Sequence, residues 1–136
     1  MTIDRRAAAV PLWAAAVLTL AVIAAAGCGG KNYTPPAVAD PAVARSALEK
    51  ALDCWRLRIT PQELAAAEPP ITMADEDWDD GRRLVEFQLL SGEQAIGTSI
   101  RWPTRLKVVR ADGREQWIDV EYIIYTDPII HISRRD

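Results

Sequence analysis

One histidine, two cysteines, two methionines and one phenylalanine are all that 136 residues hold of these types. The scarcity excludes several chemistries. A single histidine cannot build a two-histidine zinc site within the chain. Two cysteines allow one disulfide at most. No Gly-x-Ser-x-Gly elbow and no Gly-rich phosphate loop occurs in the sequence. Charge is also missing over one long stretch. Ala7 to Ala26 are 20 residues without a charged side chain, and all 16 basic and 19 acidic residues lie outside that block. No basic stripe or tail is present and the formal net charge is -3. General attraction to nucleic acid or anionic lipid is therefore not expected. The length admits one ordinary domain rather than two.

The uncharged block follows Met1–Arg6, which carries two arginines and one aspartate, and it is broken only by Pro11 and Thr19. A positive start, an apolar run and small residues at its end describe a secretory signal. Its last residues are Ala25-Ala26-Gly27-Cys28, which resemble the lipobox of bacterial lipoproteins. That resemblance implies cleavage between Gly27 and Cys28 and a diacylglycerol on the Cys28 thiol, with palmitate among its acyl chains. An uncleaved anchor is an alternative, since about 20 apolar residues span a bilayer; an ordinary cleaved signal is another. Under the lipobox reading the membrane is a partner through the lipid, and the protein sits in the cell envelope, periplasm-facing or extracellular. Gly29 in place of Asp favours the outer membrane by similarity to Gram-negative sorting rules, where the host has one.

Cleavage before Cys28 leaves 109 of the 136 residues, with 14 basic and 18 acidic side chains and a net charge of -4. With Cys28 acylated, Cys54 has no disulfide partner within the chain and is expected as a small half-buried filler. Residues 28–40 read as the lipidated cysteine and a tether, containing Gly29-Gly30 and Pro35-Pro36 and no periodicity. Stretched, the 12 residues from Gly29 to Asp40 reach about 40 Å. The domain is expected over 41–136.

Asp40-Pro41 opens a helix, with Asp at the N-cap and Pro at the first helical position. Ala44, Ala47, Leu48, Ala51, Leu52 and Trp55 then follow a helical period and predict a buried face over roughly 41–57. Thr60-Pro61-Gln62-Glu63 is a capping box for a second, short helix that stops at Pro69-Pro70. Strands are expected at 84–90, 95–102 (halted by Pro103), 104–110, 115–125 and 129–133, with a hairpin turn at Ala111-Asp112-Gly113-Arg114. Helices followed by an antiparallel meander mean α+β. The expected fold is a long helix and a short helix on a curved antiparallel sheet of four or five strands.

Three groups of residues invite a chemical reading. Five of the six residues from Asp75 to Asp80 are acidic, and Asp75, Asp77, Asp79 and Glu86 take the first, third, fifth and twelfth positions of an EF-hand-like loop. The match fails where geometry is strict. Asp80 stands where glycine is required and Arg82 where an apolar residue is, and helices do not flank the loop. Asp75, Asp77 and Asp79 are thus weak metal candidates, and a solvated loop with Trp78 tucked against the domain is the expectation. His131, between Ile130 and Ile132, is expected at an edge or a pocket mouth; for catalysis it needs Asp119, Glu121 or Asp127 beside it. The third group is aromatic. Trp55, Trp102, Trp117 and Tyr122, with His131, form a candidate ligand or partner surface, with Trp102 and Trp117 as cross-strand neighbours.

The stretch from Ala47 to Trp55 followed by Thr60-Pro61 resembles the opening of cystatin-like folds of the NTF2-like type. Pro69-Pro70-Ile71, the run from Asp77 to Leu84 and Tyr125-Thr126-Asp127-Pro128 resemble small lipoproteins of planctomycete-like bacteria that have no assigned function. The resemblance implies an α+β body without a catalytic assignment or cofactor. The expected function is a lipid-anchored, non-enzymatic interaction or structural module with an envelope protein partner. A small-ligand binder with an NTF2-like pocket is the alternative.

Overall fold

The computed structural model describes residue 30 and residues 32–136. The expected signal segment 1–27, its expected cleavage point at Gly27 and Cys28, the expected lipidation site, lie outside the described residues.

Helix α1 runs Pro41–Arg56, with the Asp40 carboxylate accepting from the Ala42 N–H. Its buried residues are the six that the helical period singles out, Ala44, Ala47, Leu48, Ala51, Leu52 and Trp55. Three alanines beside the two leucines and the tryptophan let the helix lie close to the sheet. Arg45–Glu49 and Arg56–Asp53 ion pairs, each at 2.9 Å, occupy the outer side. Helix α2, Pro61–Ala65, starts with both halves of the Thr60/Glu63 capping box in place.

The strands are β1 (Ile71–Ala74), β2 (Leu84–Leu89), β3 (Gln94–Ile96), β4 (Ser99–Val109), β5 (Glu115–Tyr125) and β6 (Ile130–Arg135), with the short helix α3 (Glu76–Asp79) between β1 and β2. They form one curled, half-barrel sheet in the order β1-β6-β5-β4-β2, with β3 beside β4. The class is α+β, as expected, but the sheet has six strands and is mixed. Strand β1 lies parallel to β6, pairing Ile71 with Ile130 and Ala74 with Ser133. Its four residues alternate, with Ile71 and Met73 buried, too short a run to stand out beside the acidic residues that follow.

Pro103 does not end a strand either; β4 runs through it for 11 residues. The Pro103 carbonyl accepts from the Leu90 N–H at 2.9 Å. A strand residue's N and C=O point to the same side, so the missing N–H faces the gap where β2 has ended and β3 has not begun. The expected strands 95–102 and 104–110 are thus the short β3 and one long β4. The hairpin between β4 and β5 forms at the Asp112-Gly113 turn, with Gly113 at φ 82.

The core is α1 against the concave face: Leu48, Leu52, Trp55, Leu106, Tyr122, Ile124 and Ile132 are all buried. Burying each leucine contributes about 2 kcal/mol. Cys54 is half-buried against this core, and burial pushes its thiol up, with Lys50 opposing and Asp53 adding. The domain also begins earlier than 41. Ala37 N–H donates to Asp127 Oδ2 at 2.9 Å and Ala39 N–H to the Thr98 carbonyl at 3.1 Å, with Ala39 buried. The end of the expected tether is therefore attached to the body. Among the described residues no helix is long and apolar enough to cross a membrane.

Candidate functional site

Trp78 is tucked against the domain as expected, and Glu76, Asp79 and Asp80 are exposed, but Asp75 and Asp77 are buried and the run forms the short helix α3. Asp75 caps α3: its Oδ1 accepts from the N–H groups of Asp77 at 2.9 Å and Trp78 at 3.3 Å. Its Oδ2 accepts from the Tyr122 hydroxyl at 2.6 Å, and Arg134 Nη1 lies 3.4 Å from its Oδ1. Asp77 accepts from Arg82 Nη1 at 2.8 Å on one oxygen and from Arg134 Nη1 on the other. Asp75 and Asp77 are buried, whereas Asp79 is exposed and Glu86 sits on β2 opposite Lys107. The carboxylate oxygens of Asp75 and Asp77 are thus engaged by two guanidiniums, a phenol and two backbone N–H groups, while Asp79 and Glu86 lie apart from them. No cluster of metal-ligating side chains occurs among the described residues. Burial, then the Asp75 charge and hydrogen bond, push the Tyr122 hydroxyl well above its ordinary range. Burial works against the Arg134 charge, but hydrogen bonds to Asp77 and Asp136 outweigh it and hold the guanidinium protonated.

The aromatic candidates do not form one surface. Trp55, Trp102 and Tyr122 are buried, with exposures of 2%, 4% and 0%. Trp102 pairs across the sheet with Tyr122, and Trp117 pairs with Lys107, so the two tryptophans are not neighbours. Trp102 Nε1 donates to the Leu90 carbonyl. Trp117 alone is open, with Lys107 Nζ 5.6 Å from its ring. His131 Nδ1 is 2.7 Å from Thr72 Oγ1. Its proposed acids are engaged elsewhere: Asp119 with Arg105, Glu121 with Arg101, Asp127 with the Ala37 N–H. The Arg105 hydrogen bond holds the Asp119 carboxyl below the usual range.

The structure assembles a different site where α1 and α3 end. Helix α1 closes with a Schellman motif: Ile59 N–H donates to the Cys54 carbonyl at 2.9 Å and Arg58 N–H to Trp55 at 3.0 Å. Helix α3 closes with the same motif, Arg82 N–H to Asp77 and Gly81 N–H to Trp78, both at 2.9 Å. The left-handed position holds Gly81 at φ 79 in one and Arg58 at φ 62 in the other. The two helix ends are joined by the indoles of Trp55 and Trp78, stacked with centroids 5.8 Å apart and planes 12° from parallel. Trp55 Nε1 also donates to the Arg82 carbonyl at 2.7 Å.

Between these ends lies an open groove of about 620 Å³, walled by Arg58, Ile59, Pro61, Gln62, Arg82 and Arg83. A second basin of about 460 Å³ shares Gly81, Arg82 and Arg83 with it and reaches Arg110 at the β4–β5 hairpin. Four arginines face two exposed acids, Asp79 and Asp80, along this path. Arg82 is bound to Asp77, whereas Arg58, Arg83 and Arg110 enter no ion pair among the described residues. Sequence reasoning missed Arg58, because only the backbone conformation marks it. Arg82 and Arg83 were visible as a pair, without a sign of what they face. Comparisons with protein-family models, with curated proteins and with solved structures find no match to the chain.

Proposed function

We propose that the protein is a lipid-anchored module of the bacterial envelope, attached through Cys28, whose cystatin-like, NTF2-like body works by binding a partner protein and not by catalysis. The observation that carries the reading is the position of the groove relative to the pinned tether. Ala37 and Ala39 are held by Asp127 and Thr98, beside the start of α1 and the start of β4. The groove lies at the other end of both elements, at Arg58 and Arg110. Ten residues of β4 separate the two ends, about 33 Å of strand. Nine residues join Cys28 to Ala37, a reach of about 30 Å. The tether therefore attaches at the end of the domain opposite the groove and does not cover it. The outer membrane is the favoured location where the host has one.

The ligand-pocket alternative has less support, since α1 side chains fill the space between helix and sheet. Metabolic labelling with a palmitate analogue, followed by crosslinking in envelope membranes and mass spectrometry, tests the proposal. The expected result is a label lost in Cys28→Ser and crosslinks from Arg83 or Arg110 positions to another envelope protein. An intact leader, or an unlabelled Cys28, would overturn the anchor.

A further inference from the structure

The geometry points to an acidic peptide segment as the occupant of the arginine-lined groove. This rests on the binding role proposed above and names the chemistry of its partner.

The first support is a contrast within the molecule. Two Schellman caps face the same groove, and the left-handed position is glycine in one and arginine in the other. Glycine takes that conformation without a steric penalty, whereas an L side chain does not. Arg58 is exposed and makes no ion pair among the described residues. Its side chain therefore makes no polar contact with the fold among the described residues, while the residue lines the groove. Strained residues of this kind collect at ligand sites.

The second support is charge placement. Removal of the leader leaves a body of net charge -4, yet along the groove Arg58, Arg83 and Arg110, with Arg82 paired to Asp77, outnumber the two acids Asp79 and Asp80. A cationic groove on an anionic body steers one sign of partner to one place.

The third support separates peptide from other anions. The arginines are spread over two adjacent basins, which suits a chain with several carboxylates better than one phosphate. The indoles of Trp55 and Trp78 stack on each other and are 2% and 6% exposed. They offer no open indole face on which a sugar ring or a base could stack. Ile59, Pro61 and Gln62 supply apolar contact and an amide for a peptide backbone.

The test is fluorescence anisotropy of a fluorescein-labelled oligoglutamate peptide with the full chain in detergent micelles at low ionic strength. Saturable binding is expected, with none for oligolysine, and it weakens as salt rises. Arg58→Gly, Arg83→Gln and Arg110→Gln are each expected to weaken binding about three-fold, and the triple variant about 30-fold. Arg45→Gln and Arg105→Gln, on other surfaces, leave it unchanged. Circular dichroism melts of each variant separate lost binding from lost fold. Absence of saturable binding, or equal weakening by Arg45→Gln, would overturn the assignment. So would displacement of the peptide by polyphosphate or an acidic oligosaccharide at lower concentration than free oligoglutamate. Palmitate labelling of the same preparation reads the anchor separately. An unlabelled Cys28 with intact peptide binding removes the anchor alone; a labelled Cys28 without peptide binding removes the groove assignment alone.

Discussion

Asp75 concentrates more interactions than any other polar residue of the domain: two backbone N–H groups, the Tyr122 hydroxyl and the Arg134 guanidinium. Removing one buried partner leaves the others unsatisfied, and that costs more than the bond itself contributes. Asp75→Ala is expected to destabilise the protein by about 3–4 kcal/mol, read as a shift of the urea midpoint at unchanged slope. Tyr122 gives the same cluster a pH signature. Its folded pKa lies well above the ordinary value, while an unfolded tyrosine ionises near about 10. Between the two values the folded state keeps a proton that the unfolded chain has lost. The contribution of Tyr122 is thus complete below about pH 10 and disappears as pH rises toward the folded pKa. Urea stability should fall more steeply above about pH 10 in the native protein than in Tyr122→Phe, which itself starts about 1–2 kcal/mol lower. Parallel curves for the two would place the alkaline transition elsewhere.

At the scale of elements, α1 shows what a sequence states locally. Its cap, its first-turn proline and its six buried positions are all within 16 residues of one another, and each was legible. The Thr60/Glu63 capping box and the Asp112-Gly113 turn were legible for the same reason. Elements defined by distant partners were not. Strand β1 exists because β6 lies beside it, 59 residues away in the Ile71–Ile130 register. Strand β4 survives Pro103 because of where β2 stops, which no local pattern encodes. The candidate site suffered most, since it is made of two helix ends and a hairpin brought together. Burial of Trp55, Trp102 and Tyr122 removed the aromatic surface, and two of the five acids in the run, Asp75 and Asp77, turned inward into a network with Tyr122 and Arg134. The close approach of α1 gives its own test. Ala51 is fully buried and Val43, one face away, is 43% exposed. Ala51→Leu has no space to enter and should lower stability by about 1–3 kcal/mol, whereas Val43→Leu should change it by less than about 0.5 kcal/mol. Thermal denaturation of both variants checks the contrast.

On the scale of the whole molecule the domain has two unlike ends. The chain is pinned at one, through Ala37–Asp127 and Ala39–Thr98, and the arginines gather at the other. Glycine takes the left-handed Schellman position at lower steric cost than arginine, and α3 carries Gly81 there. Arg58→Gly therefore separates stability from binding, because the two should move in opposite directions. Relief of the left-handed strain favours the variant, and the greater freedom of glycine in the unfolded chain offsets part of that gain. The expected net effect is stabilisation by about 0.5–1 kcal/mol, a rise in Tm of about 2–6 °C for a domain of this size. Oligoglutamate affinity should fall about three-fold in the same preparation. Arg58→Asn, which tolerates the left-handed region better than most residues, should lose the affinity with a smaller gain in Tm. If Arg58→Gly instead lowered Tm, the side chain would be holding the fold, and the argument from its strained backbone to a ligand would fail.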